Sequence, residues 1–546
     1  LTIKKIIYMN KILLVTVAVV AIGFTACKKK DFGDAYADPG KVSTSSVDKQ
    51  FAGTLVSRMW SNSDKGQHGY VVPSYWNYFV VVRTTLLHYT QAVGWENYDN
   101  QYVPGAAGVG DNWKDYYYFL AQYRELEKIY AKLSTADQAD NRIYMIAAAI
   151  FLYDQTQKMV DLHGDIPFSE AGMLSVNGGN YTASSAKYDD AASIYTKMLD
   201  DLKGFADELN TISVPAYVQK KFVTQDLINQ GDIALWKRYT NSLRLRMLTR
   251  VSGASAFTSR ANTEIAAILS TPATYPVVTA NSENIKVSVF DVSSDITAKG
   301  FKSGLEDSYG NTASKVMIDH MQNYSDPRLR AMFQPGDSAK GVYTGVNQTT
   351  DRNTQNTLIV KDAKAAIYNR SAISRNSFFP GVIINAAEVS FLAAEYYLKA
   401  SNLSAAKTAY ENGIRQSIEY YYAFRALSAD NSSGTLTPAT PAEVTAYIAS
   451  IGVNWDLALT TDAKLKLIAT QKWIHYSVVQ PNENWAEVRR LDAPTFSFEV
   501  DNANNIIKQP PVRWIYPTTE VTYNKANYET VRSKDNLTTK IFWDVK

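Results

Sequence analysis

The rhythm of apolar and polar positions changes several times along the 546 residues, and each change predicts an element. Ile12 to Phe24 is a run of thirteen residues in which Thr16 is the one clearly polar side chain. That is shorter than the roughly 18 residues a membrane span requires. From Val47 to Trp60 the spacing becomes helical, with Val47, Phe51, Leu55 and Met59 on one face. Trp113 to Leu133, Asn141 to Leu162 and Tyr188 to Leu209 also read as helices with broad apolar faces. The second uses Ile143, Ile146, Ala147, Ile150 and Tyr153, and the third Ala191, Ile194, Tyr195, Met198 and Leu202. Gly231 to Arg250 reads as an amphipathic helix with Trp236, Tyr239, Leu243 and Met247 along one stripe. Arg244, Arg246 and Arg250 fall off that stripe, and pairing with carboxylates is a simpler role for them than binding an anion.

The clearest helix pair is Phe391 to Ala400 and Ser404 to Tyr420, joined by a short Ser-Asn-Leu turn. Small residues (Ala394, Ala406, Ala409, Gly413) alternate there with large ones (Leu392, Tyr397, Tyr410, Ile414), which lets two backbones approach closely, as in a tetratricopeptide unit. Such units bury a face by stacking, so several are expected in one chain. Residues 271–300 and 333–380 are rich in Thr, Val, Ser, Gly and Asn without helical spacing and read as loops with a few short strands. The expected fold class is therefore mostly α: tetratricopeptide-like helix pairs with long irregular loops and a few short strands.

Residues 70–118 carry thirteen aromatic side chains in 49 positions, against 12% for the whole chain. Trp95, Tyr98 and Tyr102 are interleaved with Asn97, Asp99, Asn100 and Gln101, and a glycine-rich turn is expected from Pro104 to Gly110. Rings beside amides and carboxylates suit a sugar or peptide, whose apolar face lies on a ring while its hydroxyls or amides are read at the edge. Trp76, Trp95, Asn97, Tyr98, Asp99 and Tyr102 are the candidate ligand-binding residues; filling a core is the competing role for any one ring.

Composition narrows the classes. Residues 1–26 hold three lysines and no acid, so the remainder balances 53 basic against 53 acidic side chains, and no basic excess points to nucleic acid. The five histidines (His68, His88, His163, His320, His475) are scattered, and no metal site, cofactor motif or nucleophile elbow is evident. Paired acids such as Asp189 with Asp190 and Asp200 with Asp201 could serve a glycosidase, but adjacent acids on a helix point apart. No catalytic residue is assigned.

Cys27 is the only cysteine. A basic start, the apolar run and the small pair Thr25 and Ala26 ahead of it make a secretory signal with a cleavage site. Phe24-Thr25-Ala26-Cys27 resembles a bacterial lipoprotein box, in which the thiol is acylated and the protein is tethered by lipid alone. Residues 1–26 are thus expected to be a signal peptide, 27–48 a lipidated flexible tether, and 49–546 one binding domain.

Gly231 to Arg250 resembles the signature helix of the SusD/RagB family of nutrient-binding outer-membrane lipoproteins, in its SusD-like branch. Other segments follow in the family's order: DFGDAYADP after Cys27, DLHGDIPFSEA (Asp161 to Ala171), KYDDAASIYTKMLDDL (Lys187 to Leu202), SDPRL (Ser325 to Leu329) and INAAEVSFLAAEYYL (Ile384 to Leu398). IATQKWIHY (Ile468 to Tyr476), NWAEVRRLDAP (Asn484 to Pro494) and PPVRWIYPTTEVTYN (Pro510 to Asn524) complete the series. The resemblance implies a mostly helical domain that captures a glycan or peptide and delivers it to a SusC-like TonB-dependent outer-membrane transporter. It implies attachment to the outer membrane through the lipid on Cys27, although Lys28 to Lys30 stand where surface-exposed relatives place acids. A surface glycan hydrolase on a helical scaffold, or a helical scaffold that binds proteins, are the alternatives. The motifs are expected to carry the scaffold rather than the ligand.

Overall fold

The computed structural model describes residues 45–59 and 68–546; Cys27, the expected signal and most of the tether lie outside the described residues. The long helices are α1 (Val47–Met59), α2 (Ala106–Ala131), α3 (Arg142–His163), α4 (Ala191–Leu209), α5 (Ile233–Val251), α6 (Ser255–Ser270), α7 (Ala386–Lys399), α8 (Leu403–Leu427), α9 (Thr461–Tyr476) and α10 (Pro481–Leu491). A π-type helix, Trp76–Leu87, stands between α1 and α2. Side-chain caps set several starts. Asp232 accepts from the amides of Ala234 and Leu235 at the head of α5, and Asn385 from that of Glu388 at the head of α7.

The helices pack as pairs, α1 and α3 on α2, α4 and α6 on α5, and α8 and α9 on α7. In the α7–α8 hairpin Gly413 is required, because a Cβ there would lie 2.5 Å from the Phe391 ring. Among the described residues the sheets are three antiparallel two-stranded ribbons. β1 (Ile166–Pro167) pairs with β2 (Tyr188–Asp189), β3 (Ile285–Val287) with β6 (Gly381–Ile384), and β4 (Phe333–Gln334) with β5 (Ile367–Tyr368). The fold is mostly α with tetratricopeptide-like pairs, and Val47–Lys546 form one compact unit.

Three expectations change. The Pro104 to Gly110 turn is mostly helix: α2 begins at Ala106, and Gly108 brings it against the π-type helix, where a Cβ would meet Val81 at 3.2 Å. Residues 333–380 hold short helical segments, Arg352–Asn356, Thr357–Lys361 and Arg370–Ser374, besides β4 and β5. Helix α5 is buried on every side from Tyr239 to Val251. Its off-stripe arginines are neutralised by carboxylates from other elements. Arg244 meets Glu264 at 3.0 Å, Arg246 meets Asp154 at 2.8 Å and Glu388 at 2.5 Å, and Arg250 meets Asp161 at 3.1 Å as well as Glu483 and Glu487.

Several of the motif segments singled out in the sequence converge on this buried ion network. Arg490 contacts Glu395 at 2.7 Å and Glu487 at 2.6 Å, and Lys472 bridges the same two carboxylates at 2.9 and 2.8 Å. Burial raises Glu395 and Glu487, yet Arg490 and Lys472, with Lys399 on the first and Arg250 on the second, pull both below the ordinary carboxylate range. Asp161 and Glu388 end above it, because burial outweighs Arg250 and Arg246.

Candidate ligand-binding face

The aromatic-rich segment separates into a supporting layer and an exposed one. His88 stacks between Trp95, at 4.3 Å, and Tyr102, at 5.4 Å, and none of the three is more than 3% exposed. Burial, reinforced by the Arg83 charge, pushes the His88 imidazole down to about 3, so the stack is uncharged at neutral pH. Trp95 donates through Nε1 to Gln101 at 3.0 Å, and the Tyr102 hydroxyl donates to the Glu499 carbonyl at 2.5 Å. Asn97 is also buried, its amide donating to the carbonyls of Gln348 and Thr350. Trp76 is half-buried and turned away, stacked on His68 at 5.6 Å.

Above this layer Tyr98 is 41% exposed and leans on Trp95 at 5.5 Å, and Asp99 beside it has no hydrogen-bond partner among the described residues. Together with Asn97 they line a cavity of about 590 Å³, closed by Arg352 and by Glu499 and Asp501 from the C-terminal part. Asp501 is tied in by the Gln101 amide at 3.1 Å, and Arg352 by Glu96 at 2.9 Å. The structure therefore brings Asn97, Tyr98 and Asp99 to one cavity, places Trp95 and Tyr102 behind it, and leaves Trp76 elsewhere.

Sequence reasoning missed Arg83. Its guanidinium lies 5.0 Å from the Phe79 ring and 5.1 Å from the Trp95 ring, without a hydrogen bond or ion pair among the described residues, and its Nε is buried and unpartnered. Burial lowers its pKa, the mark of a cation short of counter-charge. Phe79 stacks in turn on Tyr75 at 5.3 Å, and the Tyr75 hydroxyl donates to Asp307 at 2.6 Å. Tyr75, Phe79 and Arg83 recur every fourth residue, a helical signal hidden in the run Phe79-Val80-Val81-Val82.

The paired acids of the hydrolase alternative are engaged in structure. Asp189 accepts from Phe168 and Ser169, Asp190 caps α4, Asp200 pairs with Arg260 and Asp201 with Lys197. Among the described residues no group of three or more His, Cys, Asp or Glu side chains is placed to hold a metal, and no helix is long and apolar enough to cross a membrane.

Together these observations define a class: a mostly helical protein of tetratricopeptide-like hairpins with an aromatic, loop-bordered face. The family model SusD-like_2, described as starch-binding associating with outer membrane, matches residues 73–517, and the chain belongs to that family. No curated protein matches the chain significantly. Among solved structures, a SusD homolog from Parabacteroides distasonis is 20% identical, with a TM-score of 0.71, over 91% of this chain and 98% of that one. A chitin-binding SusD homolog from Flavobacterium johnsoniae is 21% identical, with a TM-score of 0.68, over 92% and 99%. One from Bacteroides fragilis is 18% identical, with a TM-score of 0.70, over 92% and 100%. At these identities they share the fold.

Proposed function

We propose that this protein is a lipid-anchored outer-membrane protein that binds a glycan and delivers it to a SusC-like TonB-dependent transporter. The observation that carries the reading is Arg83, a cation about 5 Å from two rings with no hydrogen bond or ion pair among the described residues, near enough to the exposed Tyr98 for its charge to act on that ring's hydroxyl. A pyranose laid on Tyr98 would accept hydrogen bonds from that guanidinium through its hydroxyls, and Asp99 would accept from others. Trp95, Asn97 and Tyr102 then act from beneath by holding Tyr98 and Arg83 in place, and Trp76 lies outside the direct contact. The family description and the chitin-binding relative favour carbohydrate over peptide as cargo.

In this reading residues 1–26 are removed, Cys27 carries the lipid, residues 27–48 are the tether and residues 49–546 the binding domain. Binding without turnover is the role of the site. Arg83→Ala and Tyr98→Ala should each weaken retention in polysaccharide gels (starch, chitin derivatives, plant glycans) by about tenfold, the loss of one charged hydrogen bond or one stacked ring. Unchanged retention in both variants, or new reducing ends released by the purified protein, would refute the reading. Cys27→Ser should move the protein from the membrane to the soluble fraction and abolish co-purification with a large β-barrel.

A further inference from the structure

Two tyrosines stand almost free of the fold, Tyr181 at 80% and Tyr523 at 84% exposure. They flank one cleft of about 450 Å³, lined between them by Tyr117, Pro167, Ser185 and Asn524. Neither hydroxyl makes a hydrogen bond among the described residues, so neither ring has a role in holding the chain together.

Both walls of the cleft are fixed. On the first, Arg124 of α2 donates to the carbonyls of Phe168, at 2.9 Å, and Ala171, at 3.2 Å, while Lys128 donates to that of Ser175 at 3.1 Å. Gly172, at φ +77°, lies hard against α2, where a Cβ would meet the Ala121 backbone at 3.1 Å. On the second wall, the short helix Thr518–Tyr523 is pinned through Glu520, which accepts from Trp113 Nε1 at 3.2 Å and the Tyr188 hydroxyl at 2.8 Å. Asn524 crosses between the walls, donating to the Ala186 carbonyl at 3.0 Å. Many polar groups of the walls are thus directed at one another, and the surface left open to a ligand is mainly apolar, the Tyr181 and Tyr523 rings beside Leu174 and Pro167.

We propose that this cleft is a second glycan-binding site, in which Tyr181 and Tyr523 stack on the apolar faces of pyranose rings. It rests on the reading that the chain binds glycan, and it is built from other segments than the face around Arg83. A concavity of about 450 Å³ with fixed walls suits a few sugar rings; a stable protein partner would need a patch of about 800 Å². Stacking alone binds weakly, but two sites on one polymer act through effective concentration, so the second site serves long chains rather than short ones.

The test uses the mature chain and the Tyr181→Ala/Tyr523→Ala double variant in gels holding amylopectin, glycol chitin or xylan, with titration of the matching hexasaccharides. The double variant should lose retention by the polymer about tenfold or more and keep the wild-type hexasaccharide affinity and melting temperature. Equal retention of variant and wild type overturns the second site and leaves the first standing. A wild-type chain that binds none of these polymers or hexasaccharides overturns both readings. Loss of a co-purifying protein by the variant, with polymer retention intact, makes the cleft a protein-docking surface and overturns the proposal.

Discussion

Trp95 and Tyr98 are three positions apart and play opposite parts. Trp95 is packed against His88 and supports Arg83, so Trp95→Ala should cost about 3–5 kcal/mol of stability, as truncation of a buried Trp does. Tyr98 projects into the cavity, and Tyr98→Ala should change stability by no more than about 0.5 kcal/mol while weakening glycan binding. Thermal melting beside ligand titration separates the two; comparable melting temperatures for both variants would contradict the layered arrangement. The richness in rings was legible along the chain. Which ring is exposed was not, because His88, Tyr102 and the carbonyl of Glu499 decide it, and Glu499 lies hundreds of positions away.

At the scale of elements, the motifs from α3, α5, α7, α9 and α10 meet in one buried ion network. Breaking such a network is expensive because it strands a charge. Arg490→Met would leave Glu395 and Glu487 short of a guanidinium and should destabilise by about 3–5 kcal/mol in chemical denaturation. Gly413→Ala should cost about 1–3 kcal/mol through overpacking against Phe391; a neutral effect would mean that the α7–α8 hairpin can spread. The α7–α8 pairing could be read from small-against-large alternation. The π-type helix was harder to read, since the recurrence of Tyr75, Phe79 and Arg83 every fourth residue is overlaid by a bulky β-branched run that also fits a strand, and α2 and α10 pack against it.

For the whole molecule, buried titratable groups set the response to acid. Burial holds His88, His163 and His475 at about 3 in the folded chain, against 6.5 for the free group. Below about pH 6.5 the unfolded chain therefore takes up protons that the folded chain does not, and stability falls. Glu395 and Glu487 act in the same sense below their ordinary value of 4.5, since their folded pKa values are depressed, while Asp161 and Glu388, with raised values, partly oppose the fall. The melting temperature should decline from about pH 6.5 downward and more steeply below 4.5; a flat profile to pH 4 would contradict the burial of these groups. Helix faces and motif order depend on neighbours within a few residues or on chain order itself, so the helical class and the family resemblance could be read directly from the chain. The lack of a hydrogen bond or ion pair to Arg83 among the described residues, the division of rings between support and surface, and the cleft between Tyr181 and Tyr523 arise from contacts between distant segments, and only the folded packing decides which side chains those contacts cover.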